Sequence, residues 1–190
     1  MLKDLILKNR SYRRFDQNAP ISKDTLVEWV NLARCSASGA NKQPLKFHLS
    51  ADAETNALIF PHLGWAGYLA DWDGPEEGEQ PTAYITILND SQIAASAGVD
   101  HGIAAQSILL GAVEQGFGGC MIASVRDREE LAGKLGIPEH LKIILVLAIG
   151  KPVEEVVLDP VKEGDIMYWR DENQVHHVPK RGLDEIIINR

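Results

Sequence analysis

Hydrophobic positions recur along this chain with two periods, and the switches between them mark out the elements. Leu2, Leu5 and Ile6 share the inward face of a short helix. Leu26, Trp29, Val30 and Ala33 recur at helical spacing in a second, with Ser22 as its N-cap and a stop where Ser36, Ser38 and Gly39 break the pattern. Leu45, Phe47 and Leu49 alternate with Lys46 and His48, which predicts a strand with one buried face and puts His48 at the surface. Asp52–Leu63 has helical character, and Thr82–Leu88 is a strand that sends Ala83, Ile85 and Ile87 to one side and Tyr84 and Thr86 to the other. Val99–Gln115 is apolar nearly all round, the mark of a buried helix; Gly102, Ala105 and Gly111 would admit another helix closely, from this chain or from a second subunit. Asp127 and Glu130 have capping-box spacing for a helix through Leu135. Ile143–Ile149 is a continuous apolar run, so this strand is buried on both faces and helices cover both sides of its sheet. After Gly150-Lys-Pro152 the chain turns polar until Ile186–Ile188 offers a last short strand. Such a tail builds no core of its own and must lie against the main domain or across a partner.

Composition narrows the picture. A chain of 190 residues is long enough for one substantial core, and no stretch has linker character, so a single domain is expected, with 151–190 as its tail. The net charge of -8 argues against binding nucleic acid over a broad surface, so any anion site must be local. Met1–Arg10 is interrupted by Lys3, Asp4 and Lys8, unlike a signal peptide, and no apolar run approaches the ~20 residues that span a bilayer. These features predict a soluble, cytoplasmic protein without membrane partners. Cys35 and Cys120 are too few for a disulfide framework and are expected as buried thiols. His176 and His177 would face opposite ways on a strand and have no further ligand near them, so no metal is expected.

Candidate chemistry concentrates in a few stretches. Asn9–Phe15 places Arg10, Arg13 and Arg14 around the Ser11 hydroxyl, a set of donors suited to phosphate oxygens and polar ring edges. Ser36–Pro44 is crowded with small and amide side chains that would allow a flat heterocycle to approach the backbone, and turn chemistry explains the same residues without a ligand. Trp65, Tyr68 and Trp72 flank the acidic loop Asp71–Glu79, either a solvated connection or a lid. Gly116-Phe-Gly-Gly lacks the order and the downstream acidic residue of a dinucleotide fingerprint. Lys180–Arg181 supplies a second basic pair, far along the chain.

Taken in order, Arg10-Ser-x-Arg-x-Phe, Ser38-Gly-Ala-Asn-x-Gln-Pro, Gly116-x-Gly-Gly, Gly150-Lys-Pro and Pro179-Lys-Arg-x-Leu-x-Glu-Ile resemble the flavin-dependent nitroreductase family over almost the whole chain. The resemblance implies an α+β fold with a mostly antiparallel central sheet between helices. It also implies a homodimer with FMN at each subunit interface and the C-terminal tail extended over the partner subunit. By position, Arg10 and Ser11 would hold the phosphate, Lys180 or Arg181 would complete that site, and Arg13 would reach the pyrimidine edge of the ring. Ser38 and Gly39 would come from the partner, with Asn41 and Gln43 near by, while Ile122, Ala123 and Ser124 would lie along the ring. The chain departs from the family at Asn9, where many members carry arginine, and at Leu45, where an aromatic residue is common. The activity implied is transfer of a hydride from NADH or NADPH through FMN to a small organic acceptor such as a nitroaromatic or quinone. The alternatives are a flavin store or sensor without turnover, or another flavin reaction on the same scaffold.

Overall fold

The computed structural model describes residues 1–189. Helix α1 (Leu2–Lys8) and the two-residue strand β1 (Phe15–Asp16) precede α2 (Lys23–Arg34), β2 (Leu45–Ser50) and α3 (Ala53–Ile59). Then come β3 (Ala83–Asp90), α4 (Asp100–Glu114), β4 (Gly118–Ile122), α5 (Arg128–Lys134) and the long β5 (Leu141–Pro152). The tail holds β6 (Val156–Pro160), β7 (Trp169–Arg170), β8 (His176–Lys180) and a helical turn α6 (Leu183–Ile186).

The sheet is built on β5. β3 and β4 both pair with it, β2 extends the sheet beyond β3, and β1 pairs with its last residues, Lys151 and Pro152; every one of these pairings is antiparallel. The register slips by one residue where Ile87 opposes Leu145 but Leu88 opposes Ile143, leaving Ile144 as a bulge. The slip decides which residues face which layer. Leu145, Leu147 and Ile149 join Ile85 and Ile87 against Leu26 and Trp29 of α2 and Ile108 and Leu109 of α4, whereas Ile143, Val146 and Ala148 join Tyr84 and Leu88 against Ile59 and Leu131. Both faces of the sheet are therefore covered by helices, as the unbroken apolar run of β5 requires. Ser22 caps α2 by accepting from the Thr25 N–H at 3.0 Å, and Asp52 caps α3 by accepting from Thr55 at 2.8 Å.

Several expectations are corrected. Helix α1 buries none of its residues, and Leu2 and Ile6 are exposed, because it lies outside the sheet layers beside α4. The helix after Asp52 stops at Ile59 and a single 3-10 turn, Phe60–His62, follows, since Pro61 has no N–H to continue the ladder. Asp127 does not cap α5 with its side chain: its φ of 44° is left-handed, whereas a capping residue is extended. Cys35 is exposed past the apolar stripe of α2, and only Cys120 is buried. His48 is half-buried, with its Nδ1 atom enclosed and unpaired; burial and then the charge of Lys23 lower its pKa. Ile186–Ile188 is not a strand, because Glu185 accepts from the Gly182 N–H at 3.1 Å and starts a helical turn there.

The tail forms a small sheet on its own chain: β8 pairs parallel to β6 and antiparallel to β7. His177 fastens it. The imidazole lies 2.8 Å from Asp159 and 3.5 Å from Asp171, and it stacks on Trp169 at 4.8 Å. The Asp159 hydrogen bond is the main cause that raises the His177 pKa, so its contribution is complete below the ordinary histidine value of about 6.5 and is lost as pH rises through the higher folded value. Amide exchange in His176–Lys180, corrected for its intrinsic pH dependence, is expected to accelerate as pH rises above the ordinary histidine value of about 6.5, and His177→Gln to abolish that dependence. An identical pH profile in the variant would remove His177 as the fastening group.

Candidate functional site

The basic segment is seated on glycine. A Cβ at Gly118 would lie 2.5 Å from the Tyr12 ring, and one at Gly150 would lie 2.8 Å from Phe15, so the Gly-x-Gly-Gly and Gly-Lys-Pro stretches provide a bare floor on which residues 12–15 lie. Ser11 bridges to Gly119, and the Tyr12 N–H donates to the Gly119 carbonyl at 3.2 Å, which holds the segment beside β4. From the other side Glu154, whose carboxylate is almost wholly buried, accepts from the backbone N–H groups of Arg13 and Arg14 and from the Arg170 guanidinium at 3.1 Å. Glu154 therefore organises both the basic segment and the tail.

Two cavities of about 250 Å³ each meet at this segment. Asn9, Arg10, Ser11, Arg13, Val156, His176 and Lys180 line the first; Arg13, Gly64, Trp65, Cys120, Ile122, Ala123 and Ser124 line the second. Arg13 and Tyr168 border both, with the guanidinium 5.1 Å from the centre of the Tyr168 ring. Each cavity is smaller than a typical ligand pocket, and the two together reach that size, with Arg13 and Tyr168 common to both.

The electrostatics of the first cavity are one-signed. Arg10 donates to the Ile6 carbonyl at 2.8 Å and Arg13 to the Ser11 carbonyl at 3.2 Å, but among the described residues no carboxylate is within ion-pair distance of Arg10, Arg13 or Lys180. The Nε atom of Arg10 is buried with no partner. Arg14, by contrast, points away and pairs with Glu79, whose carboxyl it holds below the usual range. Arg181 also stays outside, paired with Glu185 at 3.0 Å. Of the two basic residues expected from the tail, only Lys180 joins the cavity.

The Ser38–Gln43 loop lies elsewhere and lines neither of these cavities. Asp100, at the start of α4, accepts from the Ser38 hydroxyl at 2.5 Å and the Gly39 N–H at 2.9 Å; these bonds hold its carboxyl below the usual range. Ser38 in turn accepts from the Gln43 N–H at 2.9 Å, and Asn41 Oδ1 accepts from Gln43 Nε2 at 3.1 Å. Ala40, Asn41 and Gln43 are all left-handed, a concentration of strain that the Asp100 carboxylate stabilises.

Of the aromatic residues flanking the acidic loop, Trp65 lines the second cavity, Tyr68 packs on Tyr168 at 4.8 Å, and Trp72 lies under the Arg170 guanidinium at 4.2 Å. The loop is pinned at its far end, where the Phe15 N–H donates to the Glu79 carbonyl at 2.9 Å. Sequence reasoning missed Glu154, Tyr168 and the role of His176. A carboxylate and a tyrosine in a polar tail carry no periodic signal; the adjacent histidines did stand out, but only as a weak metal pattern. Among the described residues no group of three potential ligands converges on a metal position, and no helix is long and apolar enough to cross a membrane.

A sequence model of the nitroreductase family matches residues 6–66 and 68–151. The chain belongs to the nitroreductase family. Its α+β fold, an antiparallel sheet covered by helices on both faces, is the family's. The chain is 27% identical over 184 residues to a Cr(VI) reductase of Pseudomonas sp. strain G-1, covering 84% of this chain and 70% of that protein. It is 25% identical over 181 residues to YodC of Bacillus subtilis, an NAD(P)H nitroreductase by assigned name only, covering 80% and 89%. Among solved structures, a nitroreductase family protein of Streptococcus pneumoniae TIGR4 superposes with a TM-score of 0.72 over the whole of both chains at 16% identity. An NADPH:FMN oxidoreductase of Vibrio harveyi, solved with NAD+, gives 0.66 over 97% of this chain and 80% of that one at 22% identity. The nitroreductase match ends at residue 151, so Tyr168, His176 and Lys180 belong to a tail beyond it.

Proposed function

We propose that this nitroreductase-family chain is an FMN-dependent oxidoreductase that uses NADH or NADPH to reduce a small organic acceptor. One observation carries the reading: a cavity lined by Arg10, Arg13 and Lys180, with no carboxylate partner for any of them among the described residues, in a chain of net charge -8. Three uncompensated cations beside a serine hydroxyl and an enclosed, unpaired Arg10 Nε suit a phosphate monoester. The adjoining cavity, walled by Trp65 and Ile122–Ser124, suits a flat ring, and the donor set therefore fits FMN.

Arg10, Ser11 and Lys180 hold the phosphate end in this reading. Arg13 borders both cavities and brings its charge to the ring, where it favours the reduced, negatively charged form. When bound, FMN supplies the redox chemistry by accepting a hydride at N5 and passing it on, which makes the two substrates enter in turn. No side-chain nucleophile is required. Ser38, Gly39, Asn41 and Gln43 line neither cavity of their own chain, and we assign them to the cofactor of a second copy. The exposed Val27 and Leu32 of α2, Val99 beside α4 and Ile103 on it fit such a homodimer, and Leu183–Ile188 is the exposed apolar end that would cross the partner.

The purified protein is expected to be yellow, to bleach anaerobically on addition of NADH or NADPH, and to recover its colour with a nitroaromatic or quinone. A colourless protein that takes up no added FMN sinks the reading. A bound flavin that never bleaches would leave a storage or sensor protein instead.

A further inference from the structure

The two tail histidines have opposite fates. His177 faces outward between Asp159 and Asp171, whereas His176 is 1% exposed and forms part of the lining shared with Arg10, Ser11, Arg13 and Lys180. Its Nε2 lies 3.3 Å from Nη1 of Arg13. A guanidinium can only donate, so Nε2 accepts, and a neutral imidazole then carries its proton on Nδ1. Burial, Arg13, Arg170 and His177 all act in the same direction and lower the His176 pKa to about 4, which keeps the ring neutral at physiological pH. Nδ1 is nevertheless enclosed without a hydrogen-bond partner. The ring is thus a fixed neutral donor, lacking an acceptor, beside a cavity whose charged lining residues, Arg10, Arg13 and Lys180, are all cations. We propose that His176 is a further phosphate-binding residue, which donates its Nδ1–H to the phosphate end of FMN while Arg13 holds its Nε2. The inference rests on the FMN reading. It adds a neutral, directional donor to three cations, so it bears on the choice of FMN over riboflavin, which shares the ring and lacks the phosphate.

The full-length flavin-free protein separates the possibilities. Nitrogen-15 NMR of its histidines at neutral pH is expected to show His176 protonated at Nδ1 alone, with that resonance moving on addition of FMN and not on addition of riboflavin. His176→Leu should weaken FMN binding about tenfold, the loss of one hydrogen bond to a charged group, and leave riboflavin affinity within about twofold. His176→Asn, which keeps a donor near the Nδ1 position, should recover most of the loss. Equal losses for FMN and riboflavin, or no loss for either, would reduce His176 to a packing residue and overturn the inference while the cofactor assignment stands. A wild-type protein that binds no FMN overturns both. Should the leucine variant not fold, the wild-type resonance still decides: a proton on Nε2, or an Nδ1 signal that riboflavin moves as FMN does, rejects the role.

Discussion

Arg13→Ala is expected to weaken FMN binding by about tenfold to a hundredfold and to slow NAD(P)H oxidation by a similar factor. The guanidinium is the single cationic group bordering both cavities, and it has no carboxylate to fall back on among the described residues. A hydrogen bond to a charged group contributes about 1.5–3 kcal/mol, which sets that range. The backbone should survive the change, because Glu154 grips the main-chain N–H of residue 13 and not its side chain. Arg13→Lys, which keeps the charge but loses the planar fork, should fall between wild type and alanine. Arg181→Ala provides the contrast, since that side chain is occupied with Glu185 and lines neither cavity. Flavin titration by fluorescence quenching measures all three. An Arg13→Ala protein with unchanged affinity and turnover would remove this residue from the site.

Glu154→Ala should have the largest effect on stability. Its side chain is 1% exposed and that of its partner Arg170 is 9% exposed, so the substitution strands a buried guanidinium and two backbone N–H groups at once. Breaking a buried pair from one side costs about 3–5 kcal/mol, which for a chain of this size lowers the melting temperature by roughly 10 °C. Part of that should return in Glu154→Ala combined with Arg170→Met, where no charge is left enclosed. A melting temperature within about 2 °C of wild type would show that Glu154 does not organise the segment, since so small a shift corresponds to less than about 1 kcal/mol.

Much of this was legible beforehand, and the reasons differ by residue. Burial on both faces of β5 was readable because an unbroken apolar run, here with six consecutive buried positions, leaves no polar face, while strand alternation placed Ala83, Ile85 and Ile87 on one layer. The cluster of Arg10, Ser11 and Arg13 was readable because charge density is local in sequence. What stayed hidden depends on contacts across the chain. The Ile144 bulge that assigns β5 residues to layers has no composition signal, and Glu154 looks like any acidic residue in a polar tail. Cys35 and Ile186–Ile188 failed for the opposite reason: an intrinsic preference for burial or strand was read where the local context, a helix end and a glycine-started turn, prevailed.

The bonds that close the basic segment join residues 141 and 163 positions apart. During synthesis the arginines emerge early, whereas Glu154, His176 and Lys180 arrive only when most of the chain has been made. No nascent fragment short of that point contains a cradle, and contacts of such separation close slowly because the intervening chain must first be ordered. In the FMN reading cofactor capture is thereby a late event, and loss of the residues from Lys180 onward would leave the sheet folded and take one of the three cations from the anion site.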